Sequence, residues 1–480
     1  MTSPLIFWFR QDLRTVDLPG LNAAAATGRP LIALYILDDS TPGDWIPGAA
    51  SRWWLHHSLE ALAGALQECG AELILRRGKA PDVLDAVIEE TGAEAVYCSR
   101  QYEPWAGDLE QALHARFAER GIEFKRFPGH LLHEPGSVRT GAGDPFKVFT
   151  PFWRACRALP EPPAPRALPE DLQWHSPLPE TEDLKGWQLQ PQKPDWAADW
   201  LALWTPGAEG AHTRLQRFLE DRVADYGDSR DIPGVAATSG LSPHLHHGEI
   251  SPRSIWHATQ AWAEEHPQSR ATADKFLAEL GWREFSYHLL VFFPEIPDKA
   301  FKPAFEEFPW AGSQKQLRAW QRGQTGYPIV DAGMRELWAT GYMHNRVRMV
   351  TASFLTKHLL IDWRAGERWF WDTLVDADLA SNSCSWQWVA GSGADAAPYF
   401  RIFNPTTQGE KFDATGEYVR RWVPELSVLP DKYLHKPWDA PEAVLQEAGL
   451  ELGKDYPQPI VDHREAREAA LAAYGQIKGK

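Results

Sequence analysis

Along the first third of the chain, short apolar runs alternate with longer amphipathic stretches. Leu5–Phe9, Leu31–Leu37, Glu72–Leu75, Ala95–Cys98 and Glu123–Phe127 read as strands. Helical patterns fall between them, the clearest over Ser51–Cys69, where Leu55, Leu59, Leu62 and Leu66 share one face. Strands alternating with helices at this spacing predict a doubly wound parallel sheet covered on both sides, a Rossmann-like α/β domain over residues 1–130. No Gly-x-Gly-x-x-Gly follows the first strand, so the dinucleotide fingerprint is absent.

The pattern then breaks. Residues 131–209 read as an interdomain linker whose stretch 157–206 is rich in Pro, Trp and charge. Pro160, Pro162, Pro163 and Pro165 stand too close together for helix or central strand. From residue 210 to 480 helical periodicity dominates, which predicts an all-α second domain. Leu215, Phe218, Leu219 and Val223 form one helical face, with a stop expected near Tyr226-Gly227.

With 480 residues the chain has ample core for two or three domains. Its net charge of −16 excludes a protein that coats nucleic acid non-specifically, but not a local basic patch. Four cysteines without paired or metal-ligand spacing point to a reducing, cytoplasmic setting and no metal site. No apolar run approaches membrane-spanning length, and no signal-peptide pattern opens the chain, so no membrane partner is expected. Twenty-four tryptophans exceed ordinary packing needs.

The chemistry concentrates in residues 341–413. Gly341-Tyr342-Met343-His344-Asn345-Arg346-Val347-Arg348-Met349 opens this region, and Val350, Phe354, Leu355 and Leu359 continue it at helical spacing. A helix starting near Met343 places Asn345, Arg348 and Met349 toward one side. Asp376-Ala377-Asp378, Asn382, Trp386-Gln387-Trp388, Arg401-Ile402-Phe403-Asn404-Pro405 and Lys411-Phe412-Asp413 follow. Two carboxylates, an amide and two indoles in an apolar helical region suit a large planar polar cofactor, because buried polar groups need partners. Earlier, Thr238-Ser239-Gly240-Leu241-Ser242-Pro243 is open to two readings, a phosphate cradle or a plain Ser-Pro helix entry. Glu279 and Arg283, four apart on the helix carrying Phe276 and Trp282, fit a surface ion pair when read alone.

These motifs, together with Phe7-Trp8-Phe9-Arg10-Gln11-Asp12-Leu13-Arg14 near the start, resemble the photolyase and cryptochrome family over nearly the whole chain. They come closest to its photolyases for cyclobutane pyrimidine dimers. The resemblance implies FAD, held by Tyr226, Thr238, Ser239, Gly240, Leu241, Ser242, Phe276, Glu279, Arg283, Arg348, Asp376, Ala377, Asp378 and Asn382. It implies light-driven repair by electron transfer from photoexcited reduced FAD to a flipped-out dimer. Glu279, Trp282, Asn345, Met349 and Trp388 would face that dimer. Arg230, Trp282, Arg346, Gln408 and Lys411 would hold the DNA, with Arg401, Arg420 and Arg421 as further candidates for a basic patch. Trp386, Trp363 and Trp310 match an electron relay from flavin to surface, and Trp369 and Trp371 offer a side branch.

An antenna chromophore is implied for the first domain. Glu103 matches a folate-contacting carboxylate and equally fits an ordinary solvated loop residue. Ser51-Arg52-Trp53-Trp54-Leu55 resembles the branch nearest plant cryptochromes, which favours 5,10-methenyltetrahydrofolate over a deazaflavin. The expected partner is DNA containing pyrimidine dimers, bound by a monomer. The rival function is a cryptochrome-type blue-light photoreceptor without repair activity. Against it stand the complete dimer-facing set and the short segment, about fifty residues, after the flavin-binding motifs. A dark redox flavoprotein would leave that set unexplained.

Overall fold

The computed structural model describes residues 2–170, 172–396 and 400–478. They pack as two compact units, Met1–Ala224 with Ser239–Pro294, and Asp225–Thr238 with Glu295–Lys480. This division differs from the boundaries drawn along the sequence at 130 and 209. The Pro-rich stretch and residues 239–294 pack with the sheet, because burial groups segments by the surfaces they cover rather than by chain order.

The first unit is built on five parallel strands, β1 (Leu5–Phe9), β2 (Leu31–Leu37), β3 (Leu73–Arg77), β4 (Ala95–Ser99) and β5 (Glu123–Phe127), in the order β3-β2-β1-β4-β5. Alternation along each strand divides the core in two. Leu5, Phe7, Phe9, Ala33 and Tyr35 pack on one face with Leu55, Leu59, Leu62 and Leu66 of α1 (Ala49–Glu68). Ile6, Trp8, Ile32, Leu34 and Ile36 pack on the other with Leu84, Val87, Leu113 and Phe117. Both faces are apolar, so the central strands read as continuous apolar runs while the edge strand β5 carries exposed Lys125 and Arg126.

The Pro-rich stretch is ordered against this sheet. Trp174 bridges Leu31, and Glu182 N donates to Leu75 O. Trp200 and Trp204 meet Trp53 and Trp54 of α1 edge-on at 5.1 and 5.4 Å. Three helices of this unit matter for the site: α2 (Phe149–Arg157), α3 (Ala208–Asp221) and α4 (Arg270–Phe292). Helix α3 stops at Asp221, short of the expected Tyr226-Gly227, and Tyr226 instead opens a separate turn, Tyr226–Ser229, in the second unit.

The second unit is helical: α5 (Pro328–Thr340), α6 (Asn345–Ser353), α7 (Trp363–Thr373), α8 (Leu379–Ala390) and α9 (Pro405–Phe412) carry its motifs. Proline opens α5 and Gly341, at φ 68°, ends it. The chain turns there and α6 begins at Asn345, two residues later than expected, because the His344 side chain accepts from Arg346 N at the cap. A π-helical turn, Phe354–His358, follows it, and Val350, Phe354, Leu355 and Leu359 are all buried in the unit's main core.

Candidate active site

In the second unit the loop before α6 and the starts of α6 and α8 converge. The Arg348 Nη2 lies 3.0 and 2.9 Å from the two Asp376 carboxylate oxygens, and Nε donates to Met343 O at 2.6 Å. The guanidinium also sits 4.9 Å over the Tyr342 ring. Burial works to lower its pKa, but Asp376 and then Tyr342 outweigh burial and hold it above its ordinary value. A fixed, partly buried cation results. Asp378 caps α8 by accepting from Ser381 N at 2.8 Å, and the preceding Ala377 is buried. On the next turn Asn382 Nδ2 donates to Glu367 O at 3.0 Å. Its carbonyl oxygen accepts no hydrogen bond among the described residues, although the residue is 8% exposed.

A second cluster is basic. Arg346 Nη2 pairs with Asp231 at 2.8 Å, and its guanidinium stacks 4.3 Å over Phe412 at the end of α9. Arg230 lies beside Asp231 and over Tyr226 at 5.2 Å. Asn404 caps α9 by accepting from Thr406 N, and that helix carries half-buried Gln408 and exposed Lys411. Asn345 is exposed at the head of α6, and Met349 one turn on is half-buried, as is Trp388 on α8. Arg420 is excluded from the basic patch. Its nitrogens donate to Thr415 O, Ser427 O and Leu429 O and pair with Asp431, so it ties a loop together.

The three relay tryptophans share the unit's main core, Trp363 and Trp386 fully inside and Trp310 at its rim. Trp386 fits because residue 366 is glycine: a Cβ there would meet its ring at 2.1 Å. Trp369 stacks on exposed Trp338 at 6.3 Å, while Trp371 packs at the edge of the same core.

Within the first unit, α4 places Glu279 half-buried and Trp282 exposed on adjacent turns, with Phe276 buried against Phe218 at 4.5 Å. Arg283 is not a surface group. Its side chain is 10% exposed, it donates to His130 O at 2.7 Å, and it lies 5.0 Å over Tyr287. Ser239 and Gly240 precede Leu241, which is buried, and Ser242 opens a short helix, Ser242–His246. Gly240 adopts φ 63°, and a Cβ on it would meet Arg214 at 2.7 Å. Thr238 belongs to the second unit, where it hydrogen-bonds Tyr342. Glu103 is 5% exposed and accepts from Tyr102 N at 3.2 Å, which removes the solvated-loop reading.

Sequence reasoning missed Asp231, Glu336 and Tyr342. Glu336 accepts from Tyr418 Oη at 2.5 Å and from His344 N at 3.1 Å, anchoring the start of α6. Burial pushes its carboxyl up to about 7. No helical or strand spacing rule points to any of the three: Asp231 and Glu336 have partners 115 and 82 residues away, and Tyr342 meets Arg348 only because the chain turns between two helices.

Residues 5–170 match the family model described as DNA photolyase, and residues 276–476 match that of the FAD binding domain of DNA photolyase. A deoxyribodipyrimidine photo-lyase of Agrobacterium fabrum is 52% identical over 477 residues, 99% of this chain and 98% of its own length. The chain belongs to the photolyase and cryptochrome family.

Cryptochrome-1 of Arabidopsis thaliana is 39% identical, covering 98% of this chain and 70% of its own length. A bacterial class III photolyase structure from Agrobacterium tumefaciens superposes with a TM-score of 0.96 at 52% identity, covering 100% of this chain and 98% of its own. The second unit's residues fit the flavin that names the family's domain. A locked cation at Arg348, the Asp378 carboxylate at a helix start and the unused Asn382 carbonyl supply donor, anion and acceptor around one region.

Proposed function

We propose that this protein is a deoxyribodipyrimidine photolyase, repairing cyclobutane pyrimidine dimers in DNA with blue light. The observation that carries this reading is full-length similarity, at 52% identity, to a deoxyribodipyrimidine photo-lyase. The reaction breaks the two carbon–carbon bonds joining the pyrimidines and is redox-neutral overall. FAD, when bound in its reduced anionic form, supplies the photoexcited electron donor.

The chain's own residues bind, orient and shield. Arg348, held by the buried Asp376 carboxylate, stabilises negative charge beside it. Asn382, with its carbonyl oxygen left over from the bond to Glu367 O, would help hold the flavin together with Ala377 and Asp378. Tyr226, Thr238, Ser239, Gly240, Leu241 and Ser242 hold the pyrophosphate side, with Phe276, Glu279 and Arg283 completing the cofactor set. A photolyase extrudes its target from the helix. Trp282 and Trp388 replace the lost stacking with indole faces. Glu279 and Asn345 hydrogen-bond the pyrimidine edges, and Met349 supplies an adaptable apolar contact. Arg230, Arg346, Gln408 and Lys411 contact flanking phosphates. Trp386, Trp363 and Trp310 carry electrons inward from the surface.

The same reading assigns residues 1–130 to an antenna domain, 131–209 to the connection and 210–480 to flavin binding and repair. Buried Glu103 supports an antenna contact, with 5,10-methenyltetrahydrofolate favoured over a deazaflavin. The enzyme would act as a cytoplasmic monomer, and among the described residues no helix is long and apolar enough to cross a membrane. The test is an absorption spectrum of the purified protein before and after blue light, with and without ultraviolet-damaged DNA. Light-dependent recovery of intact pyrimidines is expected. Flavin photochemistry without any recovery would assign the chain to photoreception instead.

A further inference from the structure

Trp282 stands 37% exposed on α4, yet one face of its indole is already covered. Phe149, the first residue of α2, stacks on it with ring centroids 3.7 Å apart and planes 9° from parallel. The contact follows from how α2 is seated. Phe149, Phe152, Trp153 and Cys156 recur at helical spacing and form one stripe, with Phe152 and Cys156 buried. Trp153 lies directly on the backbone of α4 at Gly281, where a Cβ would meet its ring at 2.6 Å. Only glycine next to Trp282 lets α2 approach this closely. Phe149 and Trp153 then lie near parallel, 11° apart, and Phe285 meets Phe149 edge-on at 6.0 Å.

We propose that Phe149 is a positioning residue for Trp282: its ring covers one indole face and fixes the tilt, so a pyrimidine dimer stacks only on the other face. The proposal rests on the photolyase reading and adds to it a residue that acts through Trp282 without touching the lesion. An indole held in place loses less freedom when a base stacks on it, so bracing raises affinity for the extruded dimer. Phosphate contacts are unaffected, because they carry no information about the lesion.

The experiment uses the full-length, flavin-loaded protein in the dark. Binding is measured to a duplex with one thymine dimer and to the same duplex undamaged, across a salt series. Phe149→Leu should lower the preference for the dimer about three- to tenfold. Affinity for undamaged DNA and the salt slope should not change. Phe149→Tyr, which keeps the ring, should retain the parent's preference. In a Trp282→Leu background Phe149→Leu should have no further effect, because the residue it positions is gone. Tighter dimer binding by Phe149→Leu would mean that Phe149 occupies the stacking face, and overturns the proposal. So does an unchanged preference, or a full additional loss in the Trp282→Leu background. If Phe149→Leu fails to retain flavin, Phe149→Met carries the same test, and failure of both assigns Phe149 to folding alone and overturns it. A parent that shows no preference for the dimer overturns the photolyase reading itself, and this proposal with it.

Discussion

Arg346 Nη2 lies 2.8 Å from Asp231, a carboxylate that also flanks Arg230, so this arginine is paired before any DNA arrives. A phosphate must compete with Asp231 for it. Arg346→Ala should weaken damaged and undamaged DNA alike and reduce the salt slope by about 0.9 in log–log units, one contact's worth. Asp231→Asn should do the reverse, tightening both. Titrations of each variant at several salt concentrations check this. An Arg346→Ala slope equal to the parent's would place the phosphate path elsewhere.

Trp386 occupies space that Gly366 leaves open, and it is buried in the unit's main core together with Trp363. Trp386→Phe should retain FAD yet lose photoreduction of the oxidised flavin under blue light. Repair by chemically reduced protein should persist, since the relay is needed only to restore the reduced cofactor. Absorbance under illumination, followed by a repair assay after dithionite, separates the two. Photoreduction at the parent's rate would shift the path to another route, for which the Trp369–Trp338 stack is the visible alternative.

Glu279, Trp282 and Met349 are expected to read the lesion rather than the backbone. Alanine at each should cut dimer preference while the flavin stays bound. Trp282→Ala should cost about 1–3 kcal/mol, the range for losing one base–aromatic stack. Affinities for dimer and undamaged duplexes at one salt concentration give the comparison. Equal preference in all three variants would remove these residues from recognition.

His344 caps α6 by accepting from Arg346 N, a role that requires a neutral imidazole. Burial, aided by Arg348 and opposed by Asp231, pushes its pKa down to about 4. In the unfolded chain a histidine titrates near 6.5. Between these values the unfolded state binds the extra proton, so stability falls as pH drops from about 6.5 to about 4. His344→Asn keeps a capping side chain but does not titrate. Its stability should decline less over that window, by an amount on the order of 1–3 kcal/mol. His288, also about 4, adds to the acid loss in both proteins. Glu284 and Glu336, raised to about 7, oppose it over about 4.5–7. Denaturant midpoints of parent and variant at matched pH isolate the His344 contribution, and parallel curves would refute it.

The sequence by itself determined the local and periodic features. Strands β1 and β2 were legible to the residue because both faces of a central parallel strand are buried, leaving continuous apolar runs at Leu5–Phe9 and Leu31–Leu37. The family motifs single out Arg348, Asp376, Asn382 and Trp386 from residue type and order alone. Tertiary structure alone decided the partners. Asp231 lies 115 residues from Arg346, and Glu336 lies 82 from Tyr418, separations that no periodicity spans. It also decided which segments pack together, drawing the Pro-rich stretch onto the sheet through Trp174, Trp200 and Trp204. Arg420 reads as a free surface cation until the carbonyls of Thr415, Ser427 and Leu429 surround it. Phe149 covers Trp282 from 133 residues away, and Gly281 permits it only because Trp153 needs the space. Such contacts depend on how whole elements fill space against one another, a property of close packing that spacing along the chain does not encode.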